Sequence, residues 1–198
     1  MTNLKTKDIF HSDAFSLVQK CALVDLTDLA RVGFRGSDTL EFLTTRGFVL
    51  PDVPNRAVLQ SDGTHAARLS QTEYLLLGSL QDQGQRIADE EARWEQDHHS
   101  NYLLPRYDSH AWLRISGSHI SEVLSKLCGV DLRPEKFGIG MVAQTSAARI
   151  NVIVINACTD DAQCFHILFD RASREYFVAA LLDAMEEFGG VAIPMEGF

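Results

Sequence analysis

The chain has no Cys-x-x-Cys pair: its four cysteines, Cys21, Cys128, Cys158 and Cys164, stand far apart or alone. A structural zinc site needs ligands in closer pairs, and a disulfide framework needs a denser set, so the expectation is scattered buried thiols in a reducing compartment. Long apolar runs are also missing. The longest, such as Tyr74 to Leu77 and Val152 to Ile155, fall far short of the roughly 20 residues of a membrane-spanning helix. Met1 to Phe10 mixes Lys and Asp and has no apolar signal-peptide core, which predicts a soluble, cytoplasmic protein. Basic residues are outnumbered, 18 Lys and Arg against 27 Asp and Glu for a net charge of -9. That balance excludes the clustered positive surface that phosphate backbones demand. No G-x-G-x-x-G follows a strand-like run, so a dinucleotide fingerprint is absent as well.

Hydrophobic residues make up 45% of the 198 positions and charged residues 23%. This suffices for a sizeable core, in one large domain or two small, closely packed ones. An internal repeat favours two. Val32 to Leu50 aligns without a gap on Leu113 to Asp131 at an offset of 81 positions. Gly36 falls on Gly117, Ser37 on Ser118, Glu41 on Glu122, Leu43 on Leu124 and Val49 on Val130. In the second copy Ile120, Val123, Leu124 and Leu127 follow the helical i, i+3, i+4, i+7 pattern, and Gly129 stands where a glycine C-cap belongs. Gly47 ends the helix of the first copy. Gly-Ser is followed by Asp in one copy and His in the other, without the Lys of a phosphate loop. Ser37 and Ser118 therefore read as helix N-caps, with Glu41 and Glu122 suiting the positive end of each helix dipole.

Each half continues alike. Strands are expected near Arg56 to Gln60, Ala66 to Leu69 and Glu73 to Leu77, then a charged helix from about Gln81 to Gln96. The second half predicts strands near Met141 to Thr145, Ile150 to Asn156 and Cys164 to Phe169. Its last helix, about Ser173 to Phe188, is lined by Phe177, Leu181, Met185 and Phe188 and stopped by Gly189-Gly190. His98 to Ser109, polar and carrying Pro105, reads as a linker. The fold class is α+β: two tandem ferredoxin-like β-α-β-β-α units with antiparallel-rich sheets, closely packed, spanning residues 1–104 and 105–198.

No catalytic constellation emerges, so no catalytic, cofactor-binding or metal-binding residue is assigned. His98 and His99 sit beside Asp97, but adjacent side chains diverge in general, so a solvated pair is expected. His65, His110, His119 and His166 have no partner at a motif spacing. Cys164 and His166 share one strand face by their alternating spacing. Asp89, Glu90, Glu91 and Glu95 read as the wet face of a helix, with Arg86 and Arg93 as partners. Asp25 and Asp28 read as turn residues.

Two stretches carry a family resemblance. DLTDLARVGFRGSDTLEFL, Asp25 to Leu43, resembles the opening of the aminomethyltransferase superfamily, the group of the glycine-cleavage T-protein. CGVDLRPEKF, Cys128 to Phe137, followed by Gly140 and by AQT at Ala143 to Thr145, resembles the gamma subunits of heterotetrameric sarcosine oxidases. So does the ending, Phe165 to Phe169 through RAS into a long helix and EFG. The resemblance runs from about Ala22 to Gly189. It implies that the C-terminal barrel of folate-dependent T-proteins is lacking. Gly78-Ser79 stands where T-proteins tend to carry an Asn-Ala turn leading to a catalytic Asp, and Asp82 cannot be matched to that position; no folate-binding residue carries over. The resemblance further implies a heterotetrameric oxidase that demethylates sarcosine, passes the one-carbon unit to tetrahydrofolate and reduces oxygen. FAD, FMN, NAD, tetrahydrofolate and zinc would sit in the partner subunits alpha, beta and delta. This chain would be a structural gamma subunit against alpha, not catalytic alone. The alternative is a stand-alone folate-binding or aminomethyl-transferring protein.

Overall fold

The computed structural model describes residues 20–158 and 163–195. In chain order the elements are β1 (Ala22–Asp25), β2 (Arg31–Arg35), α1 (Thr39–Thr45), β3 (Arg56–Leu59), β4 (His65–Arg68), β5 (Glu73–Leu77) and α2 (Gln85–Ala92). They continue as β6 (Tyr102–Pro105), β7 (His110–Ser116), α3 (Ile120–Ser125), β8 (Val142–Ala147), β9 (Ile150–Asn156), β10 (Cys164–Asp170), α4 (Arg174–Met185) and β11 (Val191–Ile193). The class is α+β, with two mainly antiparallel sheets consistent with tandem ferredoxin-like units. One sheet runs β3-β4-β5-β2-β6, the other β8-β9-β10-β7-β1 with β11 added in parallel to β1.

The orders are the same once the repeat is applied, and the last strand of each five is exchanged when β6, the repeat counterpart of β1, is counted with the second repeat although it begins inside residues 1–104. β1 leaves the first half to pair antiparallel with β7, and β6 pairs antiparallel with β2. The segment read as a linker therefore contains a strand. Its polar ends hid a short apolar stretch, Tyr102 to Leu104, that fills a sheet edge; Pro105, lacking an amide donor, is tolerated there because an edge strand needs one side only.

Residue alternation explains the layers. In β5, Tyr74 and Leu76 pack with Leu43 of α1 and Ile87 of α2, whereas Leu75 and Leu77 face the other sheet. In β10, Phe165, Ile167 and Phe169 pack with Ile120, Val123 and Leu124 of α3 and Phe177, Leu181 and Met185 of α4, while Leu168 faces inward. A strand covered on both faces must be apolar throughout, hence the unbroken YLLL of β5. The result is four layers, helices-sheet-sheet-helices. Each fully buried Phe, Leu or Met contributes about 1.5–3 kcal/mol to holding them. The sheet edges also join: Ala57 N–H donates to Gly140 O at 2.7 Å and Val142 N–H to Asn55 O at 3.0 Å.

Several local readings change. The N-caps are Asp38 and His119, neither making a side-chain cap bond, so Ser37 and Ser118 do not cap. Ser37 Oγ instead donates to Asp38 Oδ1 at 3.0 Å. What the repeat preserves is the glycine. Gly36 (φ 152°) and Gly117 (φ 125°) adopt backbone conformations that side chains disfavour, each with another backbone segment lying where a Cβ would go. Gly129 is not a left-handed cap, whereas Gly47 (φ 80°) and Gly189 (φ 67°) are positioned to end their helices. The charged helix is shorter than expected because Gly84 (φ 79°) precedes it and Asp82 accepts from Gly84 N–H and Arg86 N–H, both at 2.9 Å. No helix among the described residues is long and apolar enough to cross a membrane.

Candidate functional site

The inter-sheet layer is apolar along most of its length but ends in a polar cluster. Period-two alternation puts Cys164 and His166 of β10 on the inward face, as their spacing predicted. Trp112 and Arg114 of β7 lie on the same face, since Trp112 pairs across to Leu168 and Arg114 to His166. His65 arrives from β4 of the other sheet, its ring edge-on to His166 at a centroid separation of 5.0 Å. Together with Leu26, Leu29, Ser79 and Gln81 they line a cavity of about 200 Å³.

The hydrogen bonds fix the chemistry. The indole Nε1–H of Trp112 can only donate, and it donates to His166 Nδ1 at 2.9 Å. The neutral His166 ring therefore carries its proton on Nε2. Burial, then the neighbouring His65 and Arg114, hold His166 well below the usual histidine range. Burial and Arg114 push His65 down to about 4. Both rings are neutral near pH 7. Arg114 Nε–H donates to Cys164 Sγ at 3.1 Å, yet burial raises the thiol above its ordinary value, which keeps it a protonated, poor nucleophile. The cluster thus offers neutral imidazoles and donors without an activated nucleophile. Its volume is below the roughly 300–1,000 Å³ of small-molecule sites, which is a poor fit for a folate.

A residue that periodicity could not flag sits at the junction of the halves. Arg31 is fully buried in β2. Its guanidinium donates to the carbonyls of Thr27, Leu29 and Tyr107, each at 2.8 Å, and also to that of His110. Burial, then Arg171, lowers its pKa to about 10, still charged at neutral pH. Tyr107 is flanked by Arg31 and Arg171, 5.4 and 5.6 Å from its ring centre. Every Arg31 acceptor is a backbone oxygen, so the sequence held no partner residue that could have revealed it.

Other residues singled out in the sequence make local contacts. Asp25 accepts from Thr27 N–H at 2.9 Å and pairs with Arg174 at 2.8 Å, the expected turn role. Asp28 lies 3.7 Å from Arg171. His110 meets Arg106 Nη1 at 3.3 Å, and His119 stacks on Phe188 at 4.9 Å. On α2, Asp89 pairs with Arg93 at 3.0 Å as predicted, but Glu90 is buried and bonded at 2.8 Å to Arg46 of α1, and Arg86 reaches Asp62 rather than the helix. Those partners lie 44 and 24 positions away, beyond the reach of helical spacing. Cys21, Cys128 and Cys164 are buried and Cys158 half-buried, all as free thiols.

No family model matches the chain. It is 36% identical over 76 residues to the sarcosine oxidase subunit gamma of Corynebacterium sp. (strain P-1), a match spanning 38% of this chain and 36% of that protein. Its fold resembles a chain of the heterotetrameric sarcosine oxidase from Corynebacterium sp. U-96 in complex with pyrrole 2-carboxylate, with a TM-score of 0.69 and 23% identity. That likeness covers 88% of this chain and 89% of the other. It also resembles the glycine cleavage system aminomethyltransferase T from Bartonella henselae, with a TM-score of 0.65 and 12% identity over 92% of this chain and 50% of that one. The resemblance to sarcosine oxidase gamma subunits recurs as a sequence match over 76 residues, and the resemblance to aminomethyltransferases as a likeness of fold.

Proposed function

We propose that this chain is a non-catalytic, structural gamma-type subunit of a sarcosine oxidase complex, supporting the alpha subunit in the oxidative demethylation of sarcosine. The observation that carries this reading is one of proportion. The likeness spans 89% of the sarcosine oxidase chain but 50% of the aminomethyltransferase. The 76-residue match to a gamma subunit, 36% identical, points the same way. In such a complex FAD, FMN, NAD, tetrahydrofolate and zinc belong to the partner subunits, in the cytoplasm.

The alternative is a stand-alone folate-binding or aminomethyl-transferring protein, and the His65–Trp112–His166 cluster is the feature that favours it. Native isolation from the protein's own cells separates the two readings. The gamma-type reading expects larger subunits to co-purify, and expects the isolated chain to be colourless and to form no peroxide from sarcosine. Tetrahydrofolate should leave Trp112 fluorescence unchanged in a Trp94→Phe background. A stoichiometric flavin or folate held by the isolated chain would reverse the assignment.

A further inference from the structure

Asp97, His98 and His99 lie between α2 and β6. Each offers one potential ligand atom, and the three atoms lie within 4.8 Å of one another. Adjacent side chains were expected to diverge, but the two imidazoles draw together, with ring centres 4.0 Å apart. Asp97 causes this by curling the chain: its carboxylate accepts from His99 N–H at 2.8 Å and meets His99 Nδ1 at 3.0 Å. The exit from the curl is fixed to the start of α1. Ser100 N–H donates to Asp38 Oδ2 at 2.7 Å, Asp38 N–H returns a bond to Ser100 O at 3.0 Å, and Thr39 Oγ1 donates to the buried Asn101 at 2.9 Å.

Asp97 and His99 open on a groove of about 340 Å³ whose walls also include Asp38, Glu41 and Glu95. The cation in that lining, Arg46, is already bonded to Glu90. A dication entering the groove therefore meets several carboxylates and one neutralised arginine.

We propose that Asp97, His98 and His99 form a surface site for a divalent transition metal ion of the zinc or copper kind. Two imidazole nitrogens and one carboxylate oxygen suit such ions, whereas magnesium and calcium prefer all-oxygen shells. Ligands at about 2.0–2.1 Å around a tetrahedral zinc stand roughly 3.3 Å apart. The Asp97–His99 separation of 3.0 Å is already near that spacing, so the ion replaces the proton shared between them with little movement. The fourth position faces the groove, open to water or to one of its carboxylates.

Calorimetric titration of the untagged full-length chain with Zn²⁺ alone tests this. The site predicts one saturable zinc per chain, weakened at least about tenfold by His98→Ala or by His99→Ala. His119→Ala should bind as the parent does, and Mg²⁺ should produce no saturable heat. With Cu²⁺ as the probe, electron paramagnetic resonance should resolve two nitrogen ligands in the parent and one in either single variant. No saturable zinc uptake by the parent, or binding retained when Asp97→Asn, His98→Ala and His99→Ala are combined, overturns the assignment.

Discussion

Gly36 lies directly against Ser100, and Gly117 lies against Lys20 in the same way. In each case the chain entering the borrowed strand crosses a glycine, and the amide two residues beyond that glycine secures it. Asp38 N–H donates to Ser100 O at 3.0 Å, and His119 N–H to Lys20 O at 3.1 Å. The repeated Gly-Ser of the sequence is thus a crossing point for strand exchange, neither a phosphate cradle nor a serine cap.

Alanine at either glycine would drive a Cβ into backbone that cannot retreat, at a φ that L-residues disfavour. Gly36→Ala and Gly117→Ala are each expected to cost about 1–3 kcal/mol or more in urea unfolding. Gly129→Ala, with open space around it, should stay within about 0.5 kcal/mol of the parent. Similar midpoints for all three proteins would refute the crossing-point explanation.

Arg31 holds four carbonyls from both halves, so truncating it strands several buried acceptors at once. Each unsatisfied group costs roughly 1–3 kcal/mol. Arg31→Met should therefore be among the most destabilising single changes in the chain. Arg31→Lys should recover only part of the loss, because an ammonium cannot span the fork of a guanidinium. Limited proteolysis near residues 98–109 offers a second readout, since Tyr107 O loses one of its two guanidinium donors and keeps only Arg171 Nη1 at 2.9 Å.

The legible part of this fold was whatever local periodicity dictates. β5 and β9 match their expected limits, and α4 buries the predicted Phe177, Leu181 and Met185. The repeat itself was visible because equal turns need equal glycines. Strand exchange was not visible, since pairing β1 with β7 depends on which sheet offers a free edge, and no residue type encodes that. The inter-sheet cluster was half legible: spacing put Cys164 and His166 on one face, but Trp112 lies 54 positions from His166, and only the fold brings its indole there.

Acid should loosen the protein through its buried histidines. His65 and His110 are pushed down to about 4, in both cases chiefly by burial, and His166 lies well below its ordinary value. Unfolded, each titrates near 6.5. Between those values the unfolded chain binds more protons, so stability is intact above about pH 6.5 and falls as the pH drops towards 4. The slope is at most about 1.4 kcal/mol per pH unit for each histidine. His99, raised by Asp97, works in the opposite direction but is exposed. Asp131, held down to about 2 by Arg133, titrates below this window. A His166→Leu variant should flatten the pH dependence of the unfolding midpoint, and an unchanged profile would remove His166 from the account.

The C-terminal segment Val191 to Phe198 lies beyond the glycines that stop α4 and reads in sequence as a partner contact, with an extra strand or a frayed end as the alternatives. The structure gives its first part another task. Val191, Ala192 and Ile193 form β11 in register with Ala22, Leu23 and Val24, and Val191 N–H donates to Cys21 O at 3.1 Å. Ile193 also packs against the inter-sheet core. Met195 is exposed, and Phe198 lies outside the described residues. Removing residues 191–198 would uncover the edge of β1, the strand that locks one half into the other, so thermal stability should fall along with any assembly. Removing only residues 196–198 leaves β11 intact and should leave the melting temperature unchanged. Comparing both truncations for melting and for co-purification with larger subunits separates the two roles. If the shorter truncation keeps its melting temperature but loses its partners, the contact lies in the last three residues. If the longer truncation melts like the parent, β11 contributes nothing to the fold.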